Sequence, residues 1–440
     1  MRPFSVHGLN ISVHGMPEIC QRDHERYVLY HRLWRSQGRF LMLCSASPSI
    51  GSFLRSATTA FMVAVLMQRA LIIGSCKDDH PAAALEQSLS DYFNGNGLDW
   101  ALSEPVVGGI SVALPKLAML QDKLVVFNRT HALGMHVGSA VVHLHVDEHS
   151  SVRYGQGTRM PYCRFRGVEC LHCIYRALLV PKPALHALVP RSLRGSFQVS
   201  NSRTRPYSVL HVRLGDANMA PPGSKTRTSA YVVGKPTRVW EWRKEQRELE
   251  AGFSRSAPGL VLGCFAKLLP GPHVVVSDTE AMLHAAARLG MKTTRALGAP
   301  LHFGMRPTPN RSDVDKLFLD WWLLVQAEET ASAGFKGNLR SRFYAGAGGY
   351  SSQFIYSARV WRTVEADERP PFRLSCNSSL GSARRAHKRA KGNPTDLVCP
   401  EQFCLVPRTV DAADAAATVT QPVALTVERS RRAVARGVKL

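Results

Sequence analysis

The chain has 440 residues, 45% of them hydrophobic, and its 56 lysines and arginines against 33 acidic residues give a formal charge of +23. At about 150 residues per domain this length allows two or three domains with substantial cores, which argues against a disordered or fibrous chain. The positive charge points to anionic ligands such as phosphates, nucleotides, nucleic acid or lipid headgroups, without choosing among them.

Neither a secretory signal nor a membrane span is predicted from the sequence. The longest apolar run covers only residues 60–67, whereas a helix that crosses a bilayer needs about 20 residues. Residues 1–36 carry histidines, arginines and glutamates where the apolar part of a signal peptide would lie. We therefore expect either a protein that is not exported or a sequence that lacks its original N-terminus.

The 10 cysteines are too few for a disulfide scaffold in a chain of this length. Cys170 and Cys173 form a C-x-x-C motif, but no second close pair follows at zinc-ribbon spacing, and we expect no metal site. Cys376, Cys399 and Cys404 could pair as disulfides in a luminal protein. N-x-[ST] sequons are compatible with that setting.

The first regular pattern is a strand, a turn, a helix and a second strand. Residues 40–43 are a short apolar run, residues 45–51 have the composition of a turn, and apolar residues recur at helical spacing over residues 57–65. A further buried-strand run at residues 70–73 completes a β-α-β unit of a parallel sheet. Short apolar runs continue to residue 195 in an order that the sequence does not define.

A second α/β unit begins with the strand at residues 207–212. Another strand, at residues 273–276, leads into a segment with capping-box spacing for a helix that Gly290 ends. The next helix is predicted from a cap at Ser312, with an apolar stripe that includes Trp321. Beyond this unit the pattern fades, and we expect a largely disordered basic tail.

The first of three anion-binding segments ends the opening strand of this unit. Strand alternation puts His211 and Arg213 on one face at its carboxyl end, and Gly215 allows a sharp turn before Asp216. The fork of an arginine donates two parallel hydrogen bonds, so it suits two oxygens of a diphosphate. A plain salt-bridge role for this arginine is the alternative.

The other two segments also adjoin ends of regular elements. Ser277 and Asp278 end a strand, where a carboxylate can accept hydrogen bonds from a base such as guanine or can simply cap the next helix. Ser332, Gly334 and Phe335 follow the helix of Trp321, and small residues there let backbone N–H groups reach a phosphate.

In their order and spacing these segments resemble the fucosyltransferases. H-x-R-x-G-D at residues 211–216, a later strand that ends in S-D-T, and F-L-D-W-W-L-L followed by S-x-G-F look like the three peptide motifs of that superfamily. It includes α1,6-fucosyltransferases, protein O-fucosyltransferases, bacterial nodulation fucosyltransferases and plant and algal relatives. Upstream, Gly51, Ser52 and Arg55 fall where the family has an N-terminal loop that lies across the cleft near the sugar.

The resemblance implies an α/β fold of the GT-B type, in which two Rossmann-like domains face a cleft. It assigns residues 38–200 to the acceptor-side domain and residues 205–365 to the donor domain. An irregular N-terminal extension (residues 1–37) and the basic low-complexity tail (residues 366–440) flank them.

The same resemblance implies the reaction and its setting. Fucose would pass from GDP-fucose to a glycan or glycoprotein acceptor, with inversion and without a metal or other cofactor. A Golgi or ER lumen is the implied location, with membrane attachment only through an anchor that this sequence does not contain. A cytoplasmic location is the alternative.

Carried over to this sequence, His211 would contact guanine or ribose, Arg213 the β-phosphate and Asp278 the guanine edge. Main-chain N–H groups of Ser332, Gly334 and Phe335 would hold the diphosphate. Arg213 is the predicted catalytic residue, because negative charge moves onto the β-phosphate as the sugar C1–O bond breaks.

Gly215, Asp216 and Ser277 complete the predicted donor site, which has no assigned general base. Asp216 and Asp320 are the candidates. Asp216 is better placed to orient the loop of Arg213, and Asp320 to pair with Lys316 one helical turn earlier.

Two other functions remain open at this point. Ser52 stands where family members usually have Asn, and Lys336 where Ser is common, so a non-catalytic sugar-nucleotide or glycan-binding protein is one alternative. A basic nucleic-acid-binding protein that uses the tail is the other, but no nucleic-acid-binding motif supports it.

Overall fold

The computed structural model of the chain describes residues 16–45, 50–74, 83–101, 109–113, 140–146, 168–189, 207–213, 259, 261–278, 280–298, 310–334, 353–362, 372–375 and 396–398. These residues form a mixed α/β protein with two parallel sheets.

The helices are α1 (Glu18–Ser36), α2 (Ile50–Met67), α3 (Ala83–Tyr92), α4 (Val168–Leu178), α5 (Pro183–Ala187), α6 (261–268), α7 (Glu280–Arg288), α8 (Arg311–Gln326) and α9 (Gln353–Arg362). The strands are β1 (Phe40–Ser45), β2 (Ala70–Ile73), β3 (Phe93–Asn94), β4 (Ile110–Ala113), β5 (Val141–Val146), β6 (Val180–Pro181), β7 (Ser208–Arg213), β8 (His273–Ser277), β9 (Lys292–Thr293), β10 (Glu329–Gly334), β11 (Phe372–Ser375) and β12 (Asp396–Val398).

The N-terminal extension contains α1, so the prediction of an irregular segment over residues 1–37 is wrong for this part of it. The buried residues of α1 recur at helical spacing: Cys20, His24, Tyr27, Val28, His31 and Trp34. Nε2 of His24 donates to the carbonyl of Asn96 (2.5 Å), and Nε2 of His31 donates to that of Leu71 (3.0 Å). Two of the buried positions are histidines, so the buried stripe of α1 does not stand out as apolar in the sequence.

A disulfide that the sequence analysis did not predict joins α1 to α4. It links Cys20 to Cys173 across 153 positions of sequence. Cys173 is therefore not a thiolate of the C-x-x-C motif that it forms with Cys170. Among the described residues, no group of three or more His, Cys, Asp or Glu side chains comes together as a metal site would require.

The first sheet has the strand order β2-β1-β5-β4, with all strands parallel. The predicted β-α-β unit is confirmed as β1, α2 and β2. The helix begins at Ile50, within the segment that the sequence predicted as a turn.

The helix α2 is 18 residues long with a mean hydropathy of 1.5, so its length and composition alone would suit a membrane span. In the structure 83% of it is buried inside the protein. It packs against β1, β2, α4 and α9. These contacts are those of a core helix.

The second sheet has the strand order β12-β11-β10-β7-β8-β9, again with all strands parallel. This is the strand order of the doubly wound Rossmann fold. The chain begins at β7 in the middle of the sheet, continues through β8 to the edge strand β9, and then returns to β10 on the other side of β7 and continues to β12 at the opposite edge. The direction of winding changes between β7 and β10. Such a switch point leaves a crevice at the carboxyl ends of the strands.

The two faces of the second sheet are covered by different layers. On one face Leu210, Val212 and Val275 pack with buried residues of α6 and α7, such as Phe265 and Met282. On the other face β7 and β8 pack against α8 and α9, in a core that is continuous with that of the first sheet.

The helix α8 confirms the core position of Trp321 but not the predicted cap. Trp321 is fully buried, and its Nε1 donates to Oγ of Ser357 (3.0 Å). Asn310 is the N-cap residue and Ser312 already lies within the helix, so the prediction of a cap at Ser312 is wrong.

Two strands lie in the segment that the sequence assigned to a disordered tail. β11 pairs with β10 and β12 pairs with β11, so residues 372–375 and 396–398 extend the second sheet. The prediction of a tail without regular structure over residues 366–440 is wrong for these two segments. Strands of three or four residues are too short to leave a periodic pattern in the sequence.

The helix α9 joins the two sheets. It packs against α8 on one side and against α2 and α4 on the other. Nε1 of Trp361 donates to the carbonyl of Leu179 (2.9 Å), and Nδ1 of His172 donates to the carbonyl of Val360 (2.7 Å). The guanidinium of Arg176 lies 4.2 Å from the centre of the Trp361 ring.

Candidate functional site

The carboxyl ends of three neighbouring strands bring the sequence-predicted motifs together. β7 lies between β8 and β10. In the register of β7 and β10, His211 is opposite Ser332 and Arg213 is opposite Gly334. In the register of β7 and β8, Val212 is opposite Ser277.

A backbone contact ties the second motif to the first. The N–H of Asp278 reaches toward the carbonyl of Val212, with an N–O distance of 3.4 Å. The first residue after β8 therefore stays beside the end of β7. All three motifs meet at one edge of the sheet, at the point where the direction of winding changes.

The environment of these residues differs along the edge. Ser277 and Asp278 are buried, with 3% and 8% of their surfaces exposed. Ser332 is half-buried between the buried Ala331 and Ala333. Buried polar groups at the carboxyl ends of parallel strands are typical of ligand sites in doubly wound folds.

His211 is held by α9. Its ring stacks on that of Phe354 with 5.6 Å between centroids and an angle of 23° between planes. Only 7% of the residue is exposed. Neither α9 nor Phe354 was predicted from the sequence, although Phe354, Ile355, Ala358 and Trp361 recur at helical spacing and would have indicated the helix.

Some predicted site residues lie outside the described part of the chain. They are Gly215, Asp216 and Phe335, together with the side chain of Arg213. The backbone of Arg213 is described and forms the last position of β7.

The three upstream residues do not form a loop. Gly51, Ser52 and Arg55 lie in the first turns of α2, and the first two are buried. The prediction of an N-terminal loop at these positions is therefore wrong. Arg55 is half-buried near Tyr175 of α4; burial raises the pKa of Tyr175, and the charge of Arg55 acts in the opposite direction.

Asp320 is engaged in a buried ion pair, as the sequence predicted. Nζ of Lys316 donates to its carboxylate, and Oγ1 of Thr294 donates to Oδ1 at 2.5 Å. Burial raises the pKa of Asp320, while the ammonium group of Lys316 acts in the opposite direction. A carboxylate held by two donors inside the core is suited to holding α8 in place and not to accepting a proton from a substrate.

The comparisons with known proteins returned similar solved structures only. No protein-family model matches the chain, and no curated protein matches it. The chain is similar to a NodZ α-1,6-fucosyltransferase soaked with GDP-fucose, at 13% identity and a TM-score of 0.34 over 73% of this chain and 92% of that one.

Two further NodZ structures from Bradyrhizobium are similar to the same extent. For one, the identity is 13% and the TM-score 0.33, over 73% of this chain and 93% of that one. For its selenomethionine form the identity is 13% and the TM-score 0.36, over 73% and 91%. The described part of the chain is a mixed α/β protein with parallel Rossmann-like sheets.

Proposed function

We propose that this chain is a glycosyltransferase that binds GDP-fucose at the β7–β10 switch point. It moves the fucose to a glycan or glycoprotein acceptor with inversion. The observation that supports this function is the meeting of the three motifs: His211 and Arg213 pair in register with Ser332 and Gly334, and Asp278 lies beside them. In sequence these motifs are far apart, and the parallel pairing of β8, β7 and β10 brings them to one edge of the sheet.

The local chemistry suits a nucleoside diphosphate. The helix α7 begins at Glu280, two residues after Asp278, so its N-terminus and the strand ends face the same crevice. Backbone N–H groups and the helix dipole at such a place attract phosphate oxygens. The carboxylate of Asp278 supplies an acceptor for the N–H groups of guanine, and uracil or adenine would not present the same pair of donors.

The reaction needs a fixed cation beside the β-phosphate. The acceptor hydroxyl forms a bond to C1 of the sugar as the bond from C1 to the β-phosphate oxygen breaks, and GDP leaves with the electron pair. The hydroxyl proton passes to a base. Arg213, at the end of β7, balances the charge that develops on the leaving phosphate.

The proposal includes a two-domain GT-B arrangement. The second sheet holds the donor, and the first sheet with α2 forms the acceptor side. The contacts of α9 with α2, α4 and α8 connect the two.

The disulfide supports an oxidising compartment as the place of action. Disulfides such as that between Cys20 and Cys173 persist in secretory compartments and are rare in the cytosol. We therefore place the protein in the lumen of the secretory pathway, where glycan and glycoprotein acceptors occur.

Thermal unfolding with GDP, GDP-fucose, UDP and ADP tests the donor assignment. A ligand at 100 times its Kd adds about 2.7 kcal/mol to the free energy of unfolding, so GDP and GDP-fucose should raise the unfolding temperature clearly. UDP and ADP should raise it much less. Equal shifts for all four nucleotides, or none, would remove the donor assignment.

A transfer assay separates catalysis from binding. Radiolabelled fucose from GDP-fucose should appear on a glycoprotein acceptor mixture. Selective GDP binding without any transfer or hydrolysis would instead identify a non-catalytic sugar-nucleotide-binding protein.

A further inference from the structure

A cleft on the first unit is separate from the switch-point site. It has a volume of about 360 Å³, within the range of about 300–1,000 Å³ that is usual for small-molecule pockets. His31, Arg32 and Arg35 of α1 form one wall, and the segment from residue 93 to residue 101 forms the other. None of the described residues of the proposed donor site lines it.

Hydrogen bonds to α4 hold the wall that residues 93–101 form. The N–H of Asn96 donates to the carbonyl of Ala177 (2.8 Å), and Nε1 of Trp100 donates to the carbonyl of Leu178 (3.0 Å), both in α4. A Cβ on Gly95 would lie 2.2 Å from the carbonyl oxygen of Leu98, so this turn admits only glycine.

The wall that α1 forms is also attached to α4. The disulfide between Cys20 and Cys173 ties α1 to α4, and His24 bonds to the segment wall at Asn96. Both walls are therefore held against α4, and the cleft keeps its shape without a ligand. A preformed site loses less entropy when a ligand binds.

The cleft presents hydrogen-bond donors and acceptors together. Arg35 donates from NH1 to the carbonyl of Asp99 (2.7 Å) and lies 2.9 Å from its Oδ2 through NH2. The Asp99 side chain is 69% exposed, and Arg32 and Asn94 are exposed as well. Carboxylate and amide oxygens accept hydrogen bonds, while guanidinium and amide N–H groups donate them.

His31 lies at the back of the cleft and has an unsatisfied acceptor. Its Nε2 carries the proton that bonds to Leu71, so Nδ1 of the neutral ring is a bare acceptor. This atom is buried and has no hydrogen-bond partner among the described residues. A buried polar atom without a partner is rare in folded proteins, and a water molecule that reaches it from the cleft would satisfy it.

We propose that this cleft binds a neutral sugar unit of a glycan. A sugar offers several adjacent hydroxyl groups, each both donor and acceptor, which match the mixed set of Arg32, Asn94 and Asp99. A simple anion could pair with Arg32, but it could not donate a hydrogen bond to the carboxylate of Asp99, whose charge Arg35 already balances. Where the proposed transferase function holds, the occupant is part of the acceptor; the binding itself does not depend on that function.

Saturation-transfer NMR on the full chain tests this site. The probes are neutral oligosaccharides built on N-acetylglucosamine, mannose or galactose, with saturating GDP present to occupy the donor site. At least one probe should show saturation transfer. Arg32→Ala and Asn94→Ala should each weaken its binding about 3- to 10-fold, as expected for the loss of one or two hydrogen bonds.

Two control variants distinguish binding in this cleft from binding at the proposed donor site. Arg22→Ala removes an exposed arginine of α1 that does not line the cleft and should leave binding unchanged. Arg213→Ala should leave it unchanged too. The proposal is overturned if no probe binds, if Arg213→Ala abolishes binding while Arg32→Ala and Asn94→Ala do not affect it, or if inorganic phosphate displaces the sugar at equal concentration.

Discussion

Two groups of buried polar side chains, one beside each sheet, lie at different ends of the strands. In the first unit, Arg69 donates from NH1 to the carbonyls of Phe40 (3.3 Å) and Ala140 (3.0 Å), where β1 and β5 begin. His31 likewise bonds to a backbone carbonyl, that of Leu71 in β2. In the second unit Ser277 and Asp278 are buried where β8 ends.

The first group bonds to backbone carbonyls, whereas the second lies at the proposed donor site. Carbonyls at strand starts and helix connections need partners in any fold, and the buried side chains of the first unit satisfy them. Polar side chains at the carboxyl ends of parallel strands, beside a switch point, lie where doubly wound folds bind ligands. The proposed donor site is therefore in the second unit.

The largest expected effect tests whether the buried ion pair of the second unit is structural. Lys316→Met leaves Asp320 charged in the core and should lower the free energy of unfolding by about 3–5 kcal/mol. Adding Asp320→Asn should recover much of this loss, because the buried charge is gone and Thr294 keeps a partner. Urea unfolding measures both.

The exposed pair of Arg295 with Glu280 (3.3 Å) provides the control. Arg295→Met should cost no more than about 1 kcal/mol, because surface ion pairs contribute little. A double variant of Lys316 and Asp320 that folds normally but has no transferase activity would contradict the structural role and make Asp320 the general base.

The second prediction concerns the strand end that carries the proposed catalysis. Arg213→Ala should lower kcat about 10²- to 10³-fold, which corresponds to about 3–4 kcal/mol of lost transition-state stabilisation. Arg213→Lys should recover only part of it, since an ammonium group cannot bind two oxygens in parallel. Steady-state transfer rates provide the measurement.

Arg288→Ala is the matched control for this charge change. Arg288 is exposed at the far end of α7, away from the strand ends. Its variant should have normal activity. Equal losses in the Arg213 and Arg288 variants would mean that net charge and not the strand-end position matters.

The third prediction tests how α1 is attached to the first unit. Replacing Cys20 and Cys173 together by Ser should lower the free energy of unfolding by about 2–4 kcal/mol, because the unfolded chain loses a crosslink that closes a long loop. The change should also weaken the binding of sugars in the proposed site between α1 and residues 93–101. Unchanged stability in urea would show that the packing of α1 suffices without the disulfide.

The smallest effect is a loss of stability at acid pH. Burial lowers the pKa of His24 to about 4, whereas an unfolded chain has the ordinary value of 6.5. The unfolded state therefore binds more protons between these values, and stability falls as the pH falls. Between pH 7 and pH 5 the loss from this residue should be about 2 kcal/mol.

Burial also lowers the pKa of His31 and of His172, so both add to the same trend. In urea unfolding at pH 7 and pH 5, His24→Gln should reduce the pH dependence without abolishing it. An equal pH dependence in the wild type and in His24→Gln would contradict the assignment.

Local patterns allowed part of the fold to be predicted. The strands at β1, β2, β7 and β8 stand out because each is a continuous buried run, and the core stripe of α8 because its period is helical. The helix α1 was missed, because histidines occupy two of its buried positions and bond to backbone carbonyls far away in sequence, those of Asn96 and of Leu71 in β2. The disulfide of Cys20 was missed for a similar reason, since its partner lies on another helix.

The sequence by itself determined the residue types of the candidate site and their order: an arginine at the end of a buried strand, a Ser-Asp pair at the end of another, and a small-residue segment after the helix of Trp321. Only the tertiary structure decided that these ends are neighbours, with β7 between β8 and β10. The reason is physical: residue type and periodicity act over a few positions, whereas the pairing of parallel strands depends on how the intervening helices pack on the sheet.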